Sequence, residues 1–127
     1  MKKVMIIILS MFSMDISADW LSLGDDAASE YTIYYDQQSI QIEGNKVIVW
    51  FLLDYKRIQK SGELSIIAKE EFACKDRNAK TLFVTVYSKN MGSGELIGSQ
   101  DHMQNDILKV IPGTVIGAKY KVACGKQ

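Results

Sequence analysis

The two cysteines are the residues whose type and spacing point most directly to chemistry. The 127-residue chain contains only Cys74 and Cys124, which are 50 positions apart. An even pair in an exported domain is typical of a disulfide, and closing a loop of this length would stabilise the fold by up to about 4 kcal/mol. Two buried free thiols are the alternative. A metal site is disfavoured because two distant thiols and one histidine form no ligand cluster.

The other polar residues do not suggest a catalytic centre. The only histidine, His102, lies in a polar stretch without an obvious orienting group, and a lone loop histidine is usually solvated. Catalysis would need a nucleophile with a base, or two carboxylates in a cleft. The spacing of Gly92, Gly94 and Gly98 does not match a dinucleotide-binding loop. We therefore predict that the protein is not an enzyme and has no catalytic residue, cofactor or metal ion.

The first 18 residues predict export. Lys2 and Lys3 precede an apolar run of about nine residues and a polar stretch ending at Ala18, which is the order of a secretory signal peptide. The apolar run is shorter than the roughly 20 residues that cross a membrane. No cysteine near the expected cleavage point could accept a lipid. We expect a signal peptide at 1–18, removed to leave a periplasmic or extracellular domain at 19–127 without a stable membrane anchor.

The composition of the expected mature domain argues against nucleic-acid binding. The full chain has 15 basic and 15 acidic residues, and removal of Lys2, Lys3 and Asp15 leaves 13 and 14, a net charge of −1. A nearly neutral domain lacks the basic surface that nucleic acids or acidic lipids would attract. An apolar content of 47% is sufficient for a folded core.

Strand patterns dominate the sequence. Six runs are rich in β-branched and aromatic residues or alternate between apolar and polar residues, and they cover 30–36, 39–43, 46–53, 64–73, 80–88 and 95–99. Gly44-Asn45 predicts a tight hairpin. From Thr114 the apolar spacing becomes helical, up to Gly125. The fold class is therefore α+β: a single antiparallel sheet of about six strands with one C-terminal helix that a Cys74–Cys124 disulfide would tie to it.

Two segments and several charged residues do not follow these regular patterns. Residues 19–29 are expected to form a turn-prone lead-in, and Ile107 to Ile111 should pack back onto the domain. Glu70 interrupts an apolar face, and the charges at 69–71 suggest a bulge or an edge. Positive charge toward the C-terminal half of the helix, where the helix dipole favours it, is expected from Lys119, Lys121 and Lys126.

The run from Lys46 to Leu53 is apolar on both faces, as in a strand that is covered on both sides or central in a curved sheet. One helix covers only one face. The other face carries Ile48, Trp50 and Leu52, which form our candidate interaction face, to be covered by sheet curvature, a second copy or another polypeptide. A small-molecule groove lined by Trp50, Tyr34 and Tyr87 is an alternative, and these aromatics could equally be core or dimer contacts.

Several motifs occur in the order found in a known family. They are Tyr34, Asp36 and Ser39 in a Tyr-x-Asp-x-x-Ser-Ile run, Val49-Trp50, Asp54-Tyr55-Lys56, Cys74-Lys75, and Met91-Gly92-x-Gly94. Together they resemble the surface-adhesin protein E family of Gram-negative bacteria over nearly the whole mature chain. The resemblance implies one antiparallel sheet with a disulfide-tied C-terminal helix.

The resemblance also implies a class of function. It points to a non-catalytic exported protein that binds host or envelope polypeptides through a sheet face, with a host matrix protein or a second copy of itself as the partner. The alternative is a periplasmic structural or envelope-associated protein that self-associates. No binding residue of the family can be transferred to this chain by motif.

Overall fold

The strands pair in antiparallel fashion along one sheet in the computed structural model, which describes residues 19–101 and 107–125. The strands are β1 (Trp20–Asp25), β2 (Tyr31–Asp36), β3 (Gln41–Glu43), β4 (Lys46–Tyr55), β5 (Ser65–Ala73), β6 (Asn78–Tyr87), β7 (Leu96–Asp101) and β8 (Leu108–Lys109). Their order is β1-β2-β4-β5-β6-β7, with β3 paired to β4 and β8 paired to β6. Helix α1 covers Val115–Cys124. The predicted α+β fold is confirmed, whereas the expected signal peptide, His102 and Lys126 lie outside the described residues.

β4 is central because the chain pairs it on both sides. Gly44, at φ +62°, lies in the turn that lets β3 fold back on β4, as the Gly44-Asn45 pair predicted. β2 and β3 flank β4 on one side and β5 flanks it on the other. Pairing on both edges places each side chain of β4 beside side chains of the neighbouring strands on the same face, which favours apolar residues along this strand. On the face toward α1, Val47, Val49 and Phe51 are fully buried.

Helix α1 begins as its sequence predicts. The Thr114 hydroxyl accepts a hydrogen bond from the Gly117 N–H at 3.2 Å and caps the helix. A Cβ atom on Gly117 would lie 2.6 Å from the Ile111 carbonyl oxygen, so this glycine permits the preceding loop to pack closely on the helix. Further along, the Tyr120 hydroxyl donates to the Cys74 carbonyl at 2.6 Å. The helix is thereby attached to the end of β5.

The two cysteines form the expected disulfide. Cys74 directly follows β5 and Cys124 is the last residue of α1, and their Cα atoms are 5.7 Å apart. Both side chains are buried. The bond joins the helix to the sheet, so the two alternatives of free thiols and a metal site are wrong.

Three segments differ from the sequence predictions. Residues 20–25 form β1 rather than a turn-prone lead-in, because a register shift between Ser22 and Gly24 breaks the alternation that would have revealed a strand. The predicted strand at 39–43 is shorter, since residues 37–39 form a 3-10 turn. Only Val110 is buried in the segment from Ile107 to Ile111, whose isoleucines are exposed.

Candidate interaction face

The sheet has one face covered by α1 and an opposite face, which we call the open face. Side chains alternate along β4, so Ile48, Trp50 and Leu52 all point to the open face. In the neighbouring strand β5 their partners are Glu71, Lys69 and Ile67, respectively. The predicted set therefore lies along one row of the sheet, although its three members have different surroundings.

Trp50 is the half-buried centre of this row. The Phe83 ring on β6 meets it edge to face, with 6.1 Å between ring centroids. The ammonium group of Lys69 lies 5.9 Å from the centroid of the Trp50 ring, within the range of a cation–π interaction. Lys69 stands between the two aromatic residues in the register, opposite both. Trp50, Lys69 and Phe83 thus form a three-strand cluster, which we call the Trp50 cluster.

The sequence did not predict the contact between Phe83 and Trp50. Alternation placed Phe83 on the same side of its strand as Thr85, but it gave no register between that strand and β4. The alignment also depends on a register shift in β6, since Lys69 pairs with Phe83 while Glu70 pairs with Thr81. The missing information was therefore the pairing register, which no local pattern in the sequence carries.

Charged side chains border the Ile48 end of the row. The Glu71 carboxylate lies 3.8 Å from the ammonium groups of both Lys46 and Lys80. Both lysine side chains are exposed, so these ion pairs contribute little to folding stability. They give the open face a polar border next to its aromatic centre.

Leu52 is fully buried, with an exposed fraction of 0%. The 3-10 turn at Asn90–Gly92 lies above it: a Cβ atom on Gly92 would be 2.7 Å from the Ile67 Cδ1 and 3.6 Å from the Leu52 Cδ1. Leu52 therefore cannot touch a partner while this turn is in place. Within the predicted set, Ile48 and Trp50 remain partly accessible.

The covering turn is held by polar contacts from β4 and β5. The Asp54 carboxylate accepts hydrogen bonds from the Met91 N–H at 2.7 Å and from the Asn90 amide at 3.0 Å. The fully buried Ser65 hydroxyl donates to the Lys89 carbonyl at 2.6 Å and accepts from the Gly92 N–H at 2.8 Å. The cover over Leu52 is thus a fixed part of the fold.

The alternative small-molecule groove does not form from the three aromatic residues proposed for it. Tyr34 pairs with Leu52 and lies diagonal to Trp50 on the open face. Tyr87 lies four residues along β6 from Phe83, a distance of about 13 Å at the rise of a β-strand. Tyr34, Trp50 and Tyr87 therefore do not surround one common space.

Two cavities lie away from the Trp50 cluster. One, of about 530 Å³, is lined by residues of β1, β2 and the start of α1, including Leu23, Ile33 and Val115. The other, of about 400 Å³, is lined by residues 28–30 and 56–59. Within 19–101 and 107–125, no three His, Cys, Asp or Glu side chains are grouped so as to hold a metal ion. No helix in the same two segments is long and apolar enough to cross a membrane.

An antiparallel sheet with a disulfide-tied C-terminal helix and a partly exposed aromatic cluster defines a small α+β domain. The model of the family described as Surface-adhesin protein E matches residues 20–125. The chain therefore belongs to this family, as the motifs indicated. Membership and fold together point to a non-enzymatic protein.

Solved structures of Haemophilus influenzae protein E share this fold. The selenomethionine form has a TM-score of 0.60 at 15% sequence identity, covering 87% of this chain and 89% of that chain. Crystal form II has a TM-score of 0.57 at 16% identity, covering 86% of this chain and 98% of that chain. At such identities the likeness concerns the fold alone. A search of the curated proteins finds no match.

Proposed function

We propose that this chain is an exported binding protein whose open face holds a polypeptide, with Trp50 as the main contact. The observation that carries the proposal is the Trp50 cluster, in which a partly accessible tryptophan is braced by Phe83 and Lys69. Tryptophan combines a large apolar ring with a polar N–H group, and such residues contribute much of the binding energy at protein interfaces.

The surroundings of the cluster support the same function. The charged residues Lys46, Glu71 and Lys80 border its apolar part. An apolar centre with a polar border is the usual anatomy of a protein–protein interface. Membership of the adhesin family favours a host matrix protein as the partner, which requires display outside the cell after removal of residues 1–18.

Self-association through the same face is the second candidate. Glu71 stands between two lysines, so the open face carries both signs of charge and a second copy could offset each of them. In that case the protein would be a periplasmic, envelope-associated homodimer.

Binding to an immobilised basement-membrane extract tests the first candidate. The protein is expressed as the full chain and purified from the exported fraction. Lys69→Glu reverses a charge beside the Trp50 ring and should weaken binding at least fivefold, and Trp50→Ala should weaken it at least tenfold. Lys60→Glu makes the same charge change in the exposed 56–62 loop and should leave binding within twofold. Equal binding by all variants would refute the assignment to this face.

Sedimentation and protease accessibility separate the two candidates. A host-binding protein should be cleaved by protease added to intact cells. The protein could instead be recovered only from the soluble periplasm, as a dimer that the Trp50→Ala substitution dissociates. This result would identify self-association, and not host binding, as the function of the open face.

A further inference from the structure

β7 ends the sheet on the side opposite β1. In the strand order of the described residues its only neighbour is β6. Backbone N–H and C=O groups of an edge strand point alternately toward the sheet and away from it, so the outward set can pair with another chain. The same strand exposes two aliphatic side chains, Leu96 at 57% and Ile97 at 46%.

The usual protections against strand addition are sparse along β7. Edge strands commonly carry lysine, proline or a central bulge that prevents pairing with other chains. Residues 90–101 contain no lysine, arginine or proline. The register shift between β6 and β7 occurs at the beginning of β7. The four residues from Gly98 to Asp101 therefore pair with β6 in unbroken register. β7 therefore presents a regular edge of four successive positions.

The opposite edge is less regular. β1 has its register shift in the middle, between Ser22 and Gly24, and Gly24 adopts φ +107°. The Ser22 hydroxyl also accepts a hydrogen bond from the Gly24 N–H at 3.1 Å. At most three successive positions of β1 are in register on either side of this shift, so β7 is the better template.

We propose that β7 binds an extended segment of another polypeptide as an additional strand. The outward backbone groups require an extended chain, because no other ligand offers matching donors and acceptors at the spacing of a strand. The exposed Leu96 and Ile97 favour apolar side chains near them in that segment. Glu95 precedes the strand and no basic residue lies between 90 and 101, which favours a partner that carries lysine or arginine.

The same charge pattern disfavours a second copy as the occupant. Neither β7 strand supplies a lysine or arginine that would offset the Glu95 carboxylate of the other copy, whereas opposite charges stabilise cross-strand pairs and like charges destabilise them. The occupant is therefore a different polypeptide. A strand of five to six residues spans about 17–20 Å, so a heptapeptide is long enough to cover the regular edge.

Amide NMR spectra of the ¹⁵N-labelled exported protein test this proposal. The probe is a peptide of sequence Lys-Val-Thr-Val-Thr-Val-Lys, which has high β propensity, alternate apolar side chains and basic ends. We expect saturable shifts of amides within 96–100 and slower hydrogen exchange there. Two further peptides are N-methylated at alternate residues, one on each edge, and each loses the donors of that edge. The peptide whose methylated edge faces β7 should bind at least fivefold more weakly than the parent peptide.

Two isoleucine variants provide a matched comparison. Ile97→Lys adds a charge to the edge and should weaken peptide binding at least fivefold. Ile58→Lys makes the same change at a loop position that is 65% exposed and should leave binding within twofold. Trp50→Ala should also have no effect on the peptide, which separates this edge from the open face.

Several results would overturn the proposal. They are an absence of β7 shifts at millimolar peptide, equal affinity of both N-methylated peptides and the parent peptide, and equal affinity of the two lysine variants. Concentration-dependent shifts of the same amides without peptide would assign the edge to a second copy instead.

Discussion

The Lys119 ammonium on α1 donates a hydrogen bond to the Glu70 carboxylate on β5 at 2.8 Å, and both residues are less than one-tenth exposed. Lys119 also lies 5.0 Å from the centroid of the Phe51 ring. A buried ion pair is stable only with good geometry, because both charges have lost their water. This contact therefore fixes where the helix lies on the sheet, in addition to the disulfide.

Breaking this pair should destabilise the protein strongly. Lys119→Met leaves the Glu70 carboxylate buried without its cation, and we expect the free energy of unfolding to fall by about 3–5 kcal/mol. Combining it with Glu70→Leu removes both charges and should restore stability to within about 1 kcal/mol of the unmodified protein. Urea denaturation with the disulfide intact measures these differences.

Lys121→Met is the matched control, because Lys121 is exposed on the same helix. Its effect should stay within about 0.5 kcal/mol. The interpretation is wrong if Lys119→Met behaves like this control, or if the double variant is as unstable as the single one.

The disulfide should provide a second, separable contribution. Cys124→Ser opens a loop of 50 residues, and chain entropy predicts a loss of up to about 4 kcal/mol. Thermal unfolding followed by circular dichroism should show a markedly lower Tm under oxidising conditions. The unmodified protein in reductant should approach the variant, and adding Cys74→Ser should cause little further loss. A Tm that reductant does not change would contradict this expectation.

Local patterns predicted the elements well where side chains alternate without interruption. The faces of β2 and β4, the Gly44 turn and the Thr114 cap all follow from residues close in sequence. Contacts between distant residues could not be predicted in this way. Glu70 looked like an interruption and Lys119 like a cation favoured by the helix dipole, because their pairing across 49 positions depends on how the helix docks.

The candidate face shows the same limit. Alternation along β4 correctly assigned Leu52 to the side opposite α1, but burial depends on what covers that side. The cover comes from the turn at Asn90–Gly92, which Ser65 and Asp54 hold in place. No periodic pattern links these residues, so the sequence could not separate buried Leu52 from partly exposed Trp50.

Ser65→Ala should loosen this turn selectively. The substitution removes the partner of both the Lys89 carbonyl and the Gly92 N–H, and unsatisfied buried groups of this kind cost about 1–3 kcal/mol. Hydrogen exchange at the Gly92 amide should accelerate. The exchange rates of the α1 amides should rise only as far as the loss of global stability accounts for. Leu52 should become more accessible as the turn opens.

Ser93→Ala is the control for this experiment. The Ser93 hydroxyl donates to the Asn90 carbonyl at 2.6 Å in the same turn, but this contact is exposed to solvent. We expect a change within about 0.5 kcal/mol. If the Gly92 amide exchanges as slowly in the Ser65→Ala variant as in the Ser93→Ala variant, the buried Ser65 hydroxyl does not hold the turn.

The contact between β1 and the segment after β4 should respond to acid. The hydrogen bond from the Lys56 ammonium, at 2.6 Å, lowers the pKa of Asp25 below its ordinary value of 3.8, and the Thr32 hydroxyl adds to this effect. Because the folded-state pKa is lowered, the contribution to stability is complete above the unfolded-state pKa. It is lost as the pH falls through the folded-state value.

Carbon NMR of the Asp25 carboxyl should give a midpoint below 3.8, and Lys56→Met should raise that midpoint. Lys60→Met, an exposed lysine in the same loop, should leave it unchanged, and an equal shift in both variants would refute a specific role for Lys56.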